Sequence, residues 1–135
     1  MLSVARIDKI DASMEKIGVH ELGHNFGLLH ANYWDCGNDV TRIICPSVEY
    51  GDYFDIMGYN LYYGYNHFNA YHKRKIGWID STQVQETVSP GNYFLVPLET
   101  EGNGIKTLKI PTMNGYNYYI EFIRPIGYDA IFYNY

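Results

Sequence analysis

His20-Glu21-Leu22-Gly23-His24-Asn25-Phe26-Gly27-Leu28-Leu29-His30 is the stretch that decides how this chain is read. An α-helix advances about 100° per residue, so His20 and His24 stand roughly 40° apart around the axis and one turn apart along it, where both imidazoles reach one metal ion. Glu21 stands beside them without needing to be a ligand. The helix must then stop if a third histidine is to swing back. Gly27 is the expected stop, because glycine takes the left-handed C′ conformation without a Cβ penalty. His30, three residues further on, would complete a three-nitrogen site and leave a fourth tetrahedral position open for water, as a catalytic zinc requires. A closed structural site would want a fourth protein ligand.

Working outward, the letters obey the pattern HExxHxxGxxH. With 5 His, 7 Glu and 13 Gly among 135 residues, its five fixed letters arise by accident with a probability of roughly 3 in 100,000. HExxH on a helix is the pattern in which two histidines bind zinc and the glutamate is the general base of a metallopeptidase. A gluzincin arrangement, with a glutamate some tens of residues downstream as third ligand, competes less well because His30 sits at its fixed offset.

The extended motif resembles that of the metzincin superfamily of zinc endopeptidases. Metzincins place a tight methionine-containing turn beneath the zinc histidines, and Asp55-Ile56-Met57-Gly58 looks like that Met-turn. An unbranched thioether fills an irregular gap under converging imidazoles better than a branched side chain. Tyr50 to Gly58, followed by His67-Phe68-Asn69-Ala70 and Lys75-Ile76-Gly77-Trp78, looks most like the gametolysin group of extracellular peptidases. The resemblance covers about residues 14 to 80. It implies that Asp55 orients a zinc histidine or holds the turn, a plain turn-forming aspartate being the alternative. Astacins and serralysins carry a tyrosine two residues past the methionine, so Tyr59 would donate a hydrogen bond to the oxyanion, although this chain has 15 tyrosines.

The implied mechanism has few parts. Zn2+ held by His20, His24 and His30 would lower the pKa of a water and polarise the scissile carbonyl. Glu21 would take the proton of the attacking water and hand it to the leaving amine. Protein or peptide is the implied substrate, and the resemblance suggests extracellular matrix or cell-wall glycoproteins. The opposed reading is a catalytically silent zinc-binding fragment or pseudoprotease acting as a binding module.

Composition restricts the alternatives. With 47% hydrophobic and 17% aromatic residues the chain can build a core. A formal net charge of −5, from 10 Lys and Arg against 15 Asp and Glu, argues against a nucleic-acid partner. No run of about 18 apolar residues predicts a transmembrane segment, and the first residues lack the apolar stretch of a signal peptide. Since metzincins are secreted and carry an upper sheet before the zinc helix, the chain is expected to be a fragment of an extracellular or cell-surface protein. Cys36 and Cys45 enclose a ten-residue segment and are close enough to bridge; two buried thiols are the alternative. Asp35, Asp39, Glu49 and Asp52 could supply oxygens to calcium, although scattered loop acids ordinarily face solvent. Oligomeric state is not readable.

The expected fold is α+β: the lower half of a metzincin-like catalytic domain over residues 1–80, then the start of a small antiparallel β-domain over 81–135. Asp11 or Ser13 can cap a zinc helix running to about Phe26, with Ile17, Val19, Leu22 and Phe26 toward a core. Residues 31 to 66 read as irregular loop carrying the Met-turn. A second helix is expected from about Phe68 to Ile76, with Gly77 as its stop and with His67 and His72 structural. Val84–Val88, Tyr93–Leu98, Ile105–Ile110 and Tyr118–Arg124 look like successive strands between turn signals.

Overall fold

Helix α1, Ala12–Asn25, carries the first two histidines. The computed structural model describes residues 12–38, 45–59, 66–113 and 115–134, so the expected cap at Asp11 lies outside the described residues, as does the side chain of Ser13. At its far end α1 stops as its sequence demands. Gly27 has φ +85°; its N–H donates to His24 O at 2.9 Å, and the Leu28 N–H donates to Gly23 O at 3.0 Å. Those paired bonds are a Schellman motif, which satisfies carbonyls that the helix end leaves open.

The face that α1 turns inward is not the expected one. Ile17, Val19, Leu22 and Phe26 are 39%, 40%, 40% and 50% exposed. Among the described side chains of α1 the buried positions are Lys16, Gly18 and Gly23. The reason is steric. A Cβ on Gly23 would collide with Met57 Sδ and meet Phe68 Cε1 at 3.1 Å, so the missing side chain is what lets the methionine approach the helix backbone. Leu28, Ala31, Ile56, Met57 and Phe68 are buried around that contact.

Beyond the helix the chain forms a short antiparallel ladder, β1 (Tyr33–Trp34) with β2 (Ser47–Val48), pairing Tyr33 with Val48 and Trp34 with Ser47. Next to it Asp35 N–H donates to Pro46 O at 2.8 Å, and Cys36 and Cys45 form a disulfide.

The chain divides into two compact units, Met1–Phe68 and Asn69–Tyr135. The second helix, expected with the histidine-bearing part, therefore belongs to the second unit. This helix, α2, spans Ala70–Lys75, with Asn69 as N-cap accepting from the His72 N–H at 2.9 Å; it is shorter than expected because that cap begins it after Phe68. Gly77 at φ +81° follows it. Strand β3 (Val84–Glu86) pairs with β4 (Thr107–Pro111) in parallel, and β4 pairs with β5 (Asn117–Glu121) antiparallel. The sheet is thus mixed, where a purely antiparallel one was expected. Tyr93–Leu98 forms no strand. Val96 N–H donates to Ile105 O and Leu98 N–H to Phe122 O, two different segments, and Pro97 between them has no N–H to offer, so no ladder develops. A long crossover between β3 and β4 is what a parallel pair requires. Ala70, Ile79 and Leu98 form the buried core of this unit, with Val84 against them. The fold class is α+β, and no helix among the described residues is long and apolar enough to cross a membrane.

Candidate metal centre

The three sequence-predicted histidines come together. Their ring centroids lie 4.8 Å (His20 to His24), 5.5 Å (His20 to His30) and 4.9 Å (His24 to His30) apart. Their ligand nitrogens fall within 4.8 Å of one another, the one such group of three or more among the described residues. Helical spacing supplies the first two, and the reversal at Gly27 brings back the third.

Each ring is oriented from behind. His20 Nδ1 donates to Ile56 O at 3.0 Å and His24 Nδ1 to Leu28 O at 2.9 Å. A carbonyl can only accept, so in both rings Nδ1 carries the proton and the Nε2 lone pair remains for a metal. His30 Nδ1 meets Glu49 Oε1 at 2.7 Å, and an ionised carboxylate likewise only accepts. Partners of this kind fix the tautomer and make the imidazole a better ligand. The acceptors come from the structures already described: Leu28 follows the helix stop, and Ile56 lies in the methionine turn.

That turn is held from within. The buried Asp55 carboxylate accepts from the Met57 N–H at 2.6 Å, and Asp55 O accepts from the Gly58 N–H at 2.9 Å. A Cβ on Gly58 would collide with Asp52 O. Met57 O accepts from the Ala31 N–H at 2.9 Å, tying the turn to the residue after His30. Asp55 thus fills the turn-holding role.

Two neighbours of the centre were missed as such in the sequence. Glu49 is read there only as a calcium candidate, and Tyr50 only as the first residue of the run that resembles gametolysin, because nothing in their spacing from His30 marks them as its neighbours. The β1–β2 ladder returns the chain so that Glu49 reaches Nδ1 and the Tyr50 ring stacks on His30 at 3.8 Å. Tyr50 has φ +60°, a conformation costly for a residue with a Cβ. Its N–H donates to Asn32 Oδ1 at 3.0 Å and its carbonyl accepts from the Tyr59 N–H at 2.6 Å. The other calcium candidates do not gather. Asp35 accepts from the Gly37 N–H and Asp52 from the Phe54 N–H, each within its own turn; Asp39 lies outside the described residues.

A cavity of about 330 Å³ opens beside His20, lined by Lys16, Ile17, His20, Glu21, Tyr50, Ile56, Gly58 and Tyr59. Glu21 and Tyr59, the two candidate catalytic residues, therefore share one cleft with a candidate ligand. Lys16 was also missed, although its place four residues before His20 put it on the same helix face. Desolvation by burial holds its amine below the usual lysine range.

Three neutral imidazoles are borderline nitrogen donors that suit zinc, copper, iron or nickel and not the oxygen-seeking calcium or magnesium. No family model, curated protein or solved structure matches the chain.

Proposed function

We propose that this chain is a zinc-dependent endopeptidase of the metzincin type, most like gametolysin, acting on extracellular proteins. The observation that carries the reading is the convergence of His20, His24 and His30, each with Nδ1 hydrogen-bonded, beside a cleft lined by Glu21. The donor set fits zinc, and His20, His24 and His30 would hold it. When bound, the ion supplies Lewis acidity and lowers the pKa of water.

The remaining work falls to the chain's own groups. Glu21 takes a proton from the attacking water and delivers it to the leaving amine. Tyr59, in the same cleft, directs its hydroxyl toward the oxyanion that develops as the peptide carbonyl is attacked. Leu28 after the helix stop, Ile56 in the methionine turn and Glu49 keep the three rings aimed while this happens. In this reading residues 12–68 hold the zinc helix and Met-turn of a metzincin catalytic domain. The Cys36–Cys45 bridge supports an oxidising, extracellular setting.

The test is hydrolysis of a quenched unfolded-protein substrate by zinc-loaded protein and by its Glu21→Gln variant, with a chelator control. Chelator-sensitive cleavage that disappears in the variant, while the variant keeps its zinc, is the expected result. Zinc binding without cleavage in either protein would instead favour the silent binding module.

A further inference from the structure

The three imidazoles are not held alike. His20 and His24 ride on α1 and lean on the Ile56 and Leu28 carbonyls. His30 lies beyond the helix stop, and its Nδ1 partner, Glu49, has a side chain 65% exposed. One hydrogen bond fixes a point on a ring and leaves the ring free to turn about that axis. The second contact needed to fix its plane comes from Tyr50. The tyrosine ring stacks on His30 at 3.8 Å with 30° between the planes, and it faces His20 at 6.0 Å and 27°.

That placement goes against local preference. The Gly51 N–H donates to Val48 O at 3.2 Å, which makes Tyr50 the third residue of a four-residue turn. Its φ of +60° is one that such a turn ordinarily gives to glycine or asparagine. Among the described residues Tyr50 is the one non-glycine with positive φ, although the next residue is a glycine. The conformation costs at least as much as an aromatic pair returns, so the stack does not explain itself as a source of stability. Two hydrogen bonds impose it from outside: the Tyr50 N–H donates to Asn32 Oδ1, and Tyr50 O accepts from the Tyr59 N–H. Backbone strain of this kind gathers where a side chain must be held in one place.

We propose that Tyr50 is a positioning residue for the metal centre: its ring fixes the plane of His30 so that Nε2 faces the same ion as His20 and His24. The left-handed backbone at residue 50 is the conformation that delivers the ring. The proposal rests on the proposed zinc centre and deepens it by adding a residue that is not itself a ligand.

Cobalt(II) alone, whose visible bands report a nitrogen site, is titrated into the full chain and its variants, with affinity read by chelator competition. Tyr50→Phe keeps the ring and should match the unaltered chain within about twofold. Tyr50→Asn and Tyr50→Gly accept a positive φ but lack the ring, and should bind cobalt about tenfold more weakly with altered bands. Their metal-free melting temperatures should stay within about 5 °C of Tyr50→Phe, because relief of strain offsets the lost stack. Carbon-proton NMR of the metal-free chain supplies a readout that needs no metal. The His30 ring resonances should lie upfield, under the ring current of residue 50, in the unaltered chain and Tyr50→Phe, and return downfield in Tyr50→Asn.

Equal cobalt affinity in Tyr50→Phe and Tyr50→Asn would overturn the proposal. So would a metal-free melting temperature that falls in step with the affinity, since the ring would then serve general stability. A chain that binds no cobalt, yet whose His30 resonances follow the ring at residue 50, would sink the zinc centre and keep the hold of Tyr50 on His30.

Discussion

The two compact units solve the problem of order in opposite ways. The second unit is conventional: a capped helix, a three-stranded sheet and a small apolar core of Ala70, Ile79 and Leu98. The first has, among its described residues, one helix and a ladder only two residues long on each strand. Its order comes from side chains that hydrogen-bond backbone, from glycines that allow close approach and from a disulfide. Asp55 holds its turn, Gly23 admits Met57, and three imidazoles lean on acceptors behind them. A site built this way depends on a few contacts, each irreplaceable, whereas a sheet spreads its stability over many.

The largest effect should therefore come from the apolar core of the second unit. Leu98→Ala should cost about 2–5 kcal/mol in denaturant unfolding, without weakening metal binding measured where the variant is still folded. A comparable loss of metal affinity would break the contrast. In the first unit, replacing Cys36 and Cys45 together by serine removes the cross-link on a ten-residue segment. That double change should cost about 2–3 kcal/mol by thermal unfolding. Gly23→Ala should cost about 1–3 kcal/mol through overpacking against Met57, despite alanine's better helix propensity. An unchanged melting temperature for that variant would show that the methionine yields freely.

How far these contrasts were legible beforehand follows the same division. Helical spacing made His20 and His24 readable, and one glycine made the reversal to His30 readable, because both are local geometry. The N-cap at Asn69 was not anticipated, and it moves the start of α2 to Ala70. The inward face of α1 was misread. Val19, Leu22 and Phe26 carry the hydrophobicity, but the absence of a side chain at Gly23 decides which side meets Met57. Glu49 and Tyr50 were out of reach because a loop's return path, not its periodicity, delivers them to His30. The parallel pairing of β3 with β4 was hidden for a similar reason, since the crossover between them looked like a strand of its own.

Smaller effects sharpen the comparison. Glu49→Ala leaves His30 Nδ1 without its acceptor, and metal affinity should fall about tenfold. The exposure of the Glu49 side chain, 65%, argues for the low end of such effects. Competition with a chromophoric chelator would measure it, and an unaltered affinity would make the contact incidental. Least of all is the contribution of Asp80 in the second unit. Its carboxyl is held below the ordinary aspartate value by the Thr82 hydroxyl and then by the Thr82 N–H. A depressed carboxylate stabilises the folded state above the unfolded-state pKa, and that contribution disappears as pH falls through the folded value. A carbon-detected NMR titration should place Asp80 below a model aspartate, and Thr82→Ala should move it back up.

The proposed chemistry needs one centre formed by His20, His24 and His30, and equilibrium dialysis against zinc measures it directly. One zinc per chain in the unaltered protein and in Glu21→Gln, with stoichiometric binding lost in His30→Ala, is the predicted result. Absence of zinc from the unaltered chain, or undiminished binding in His30→Ala, would contradict it.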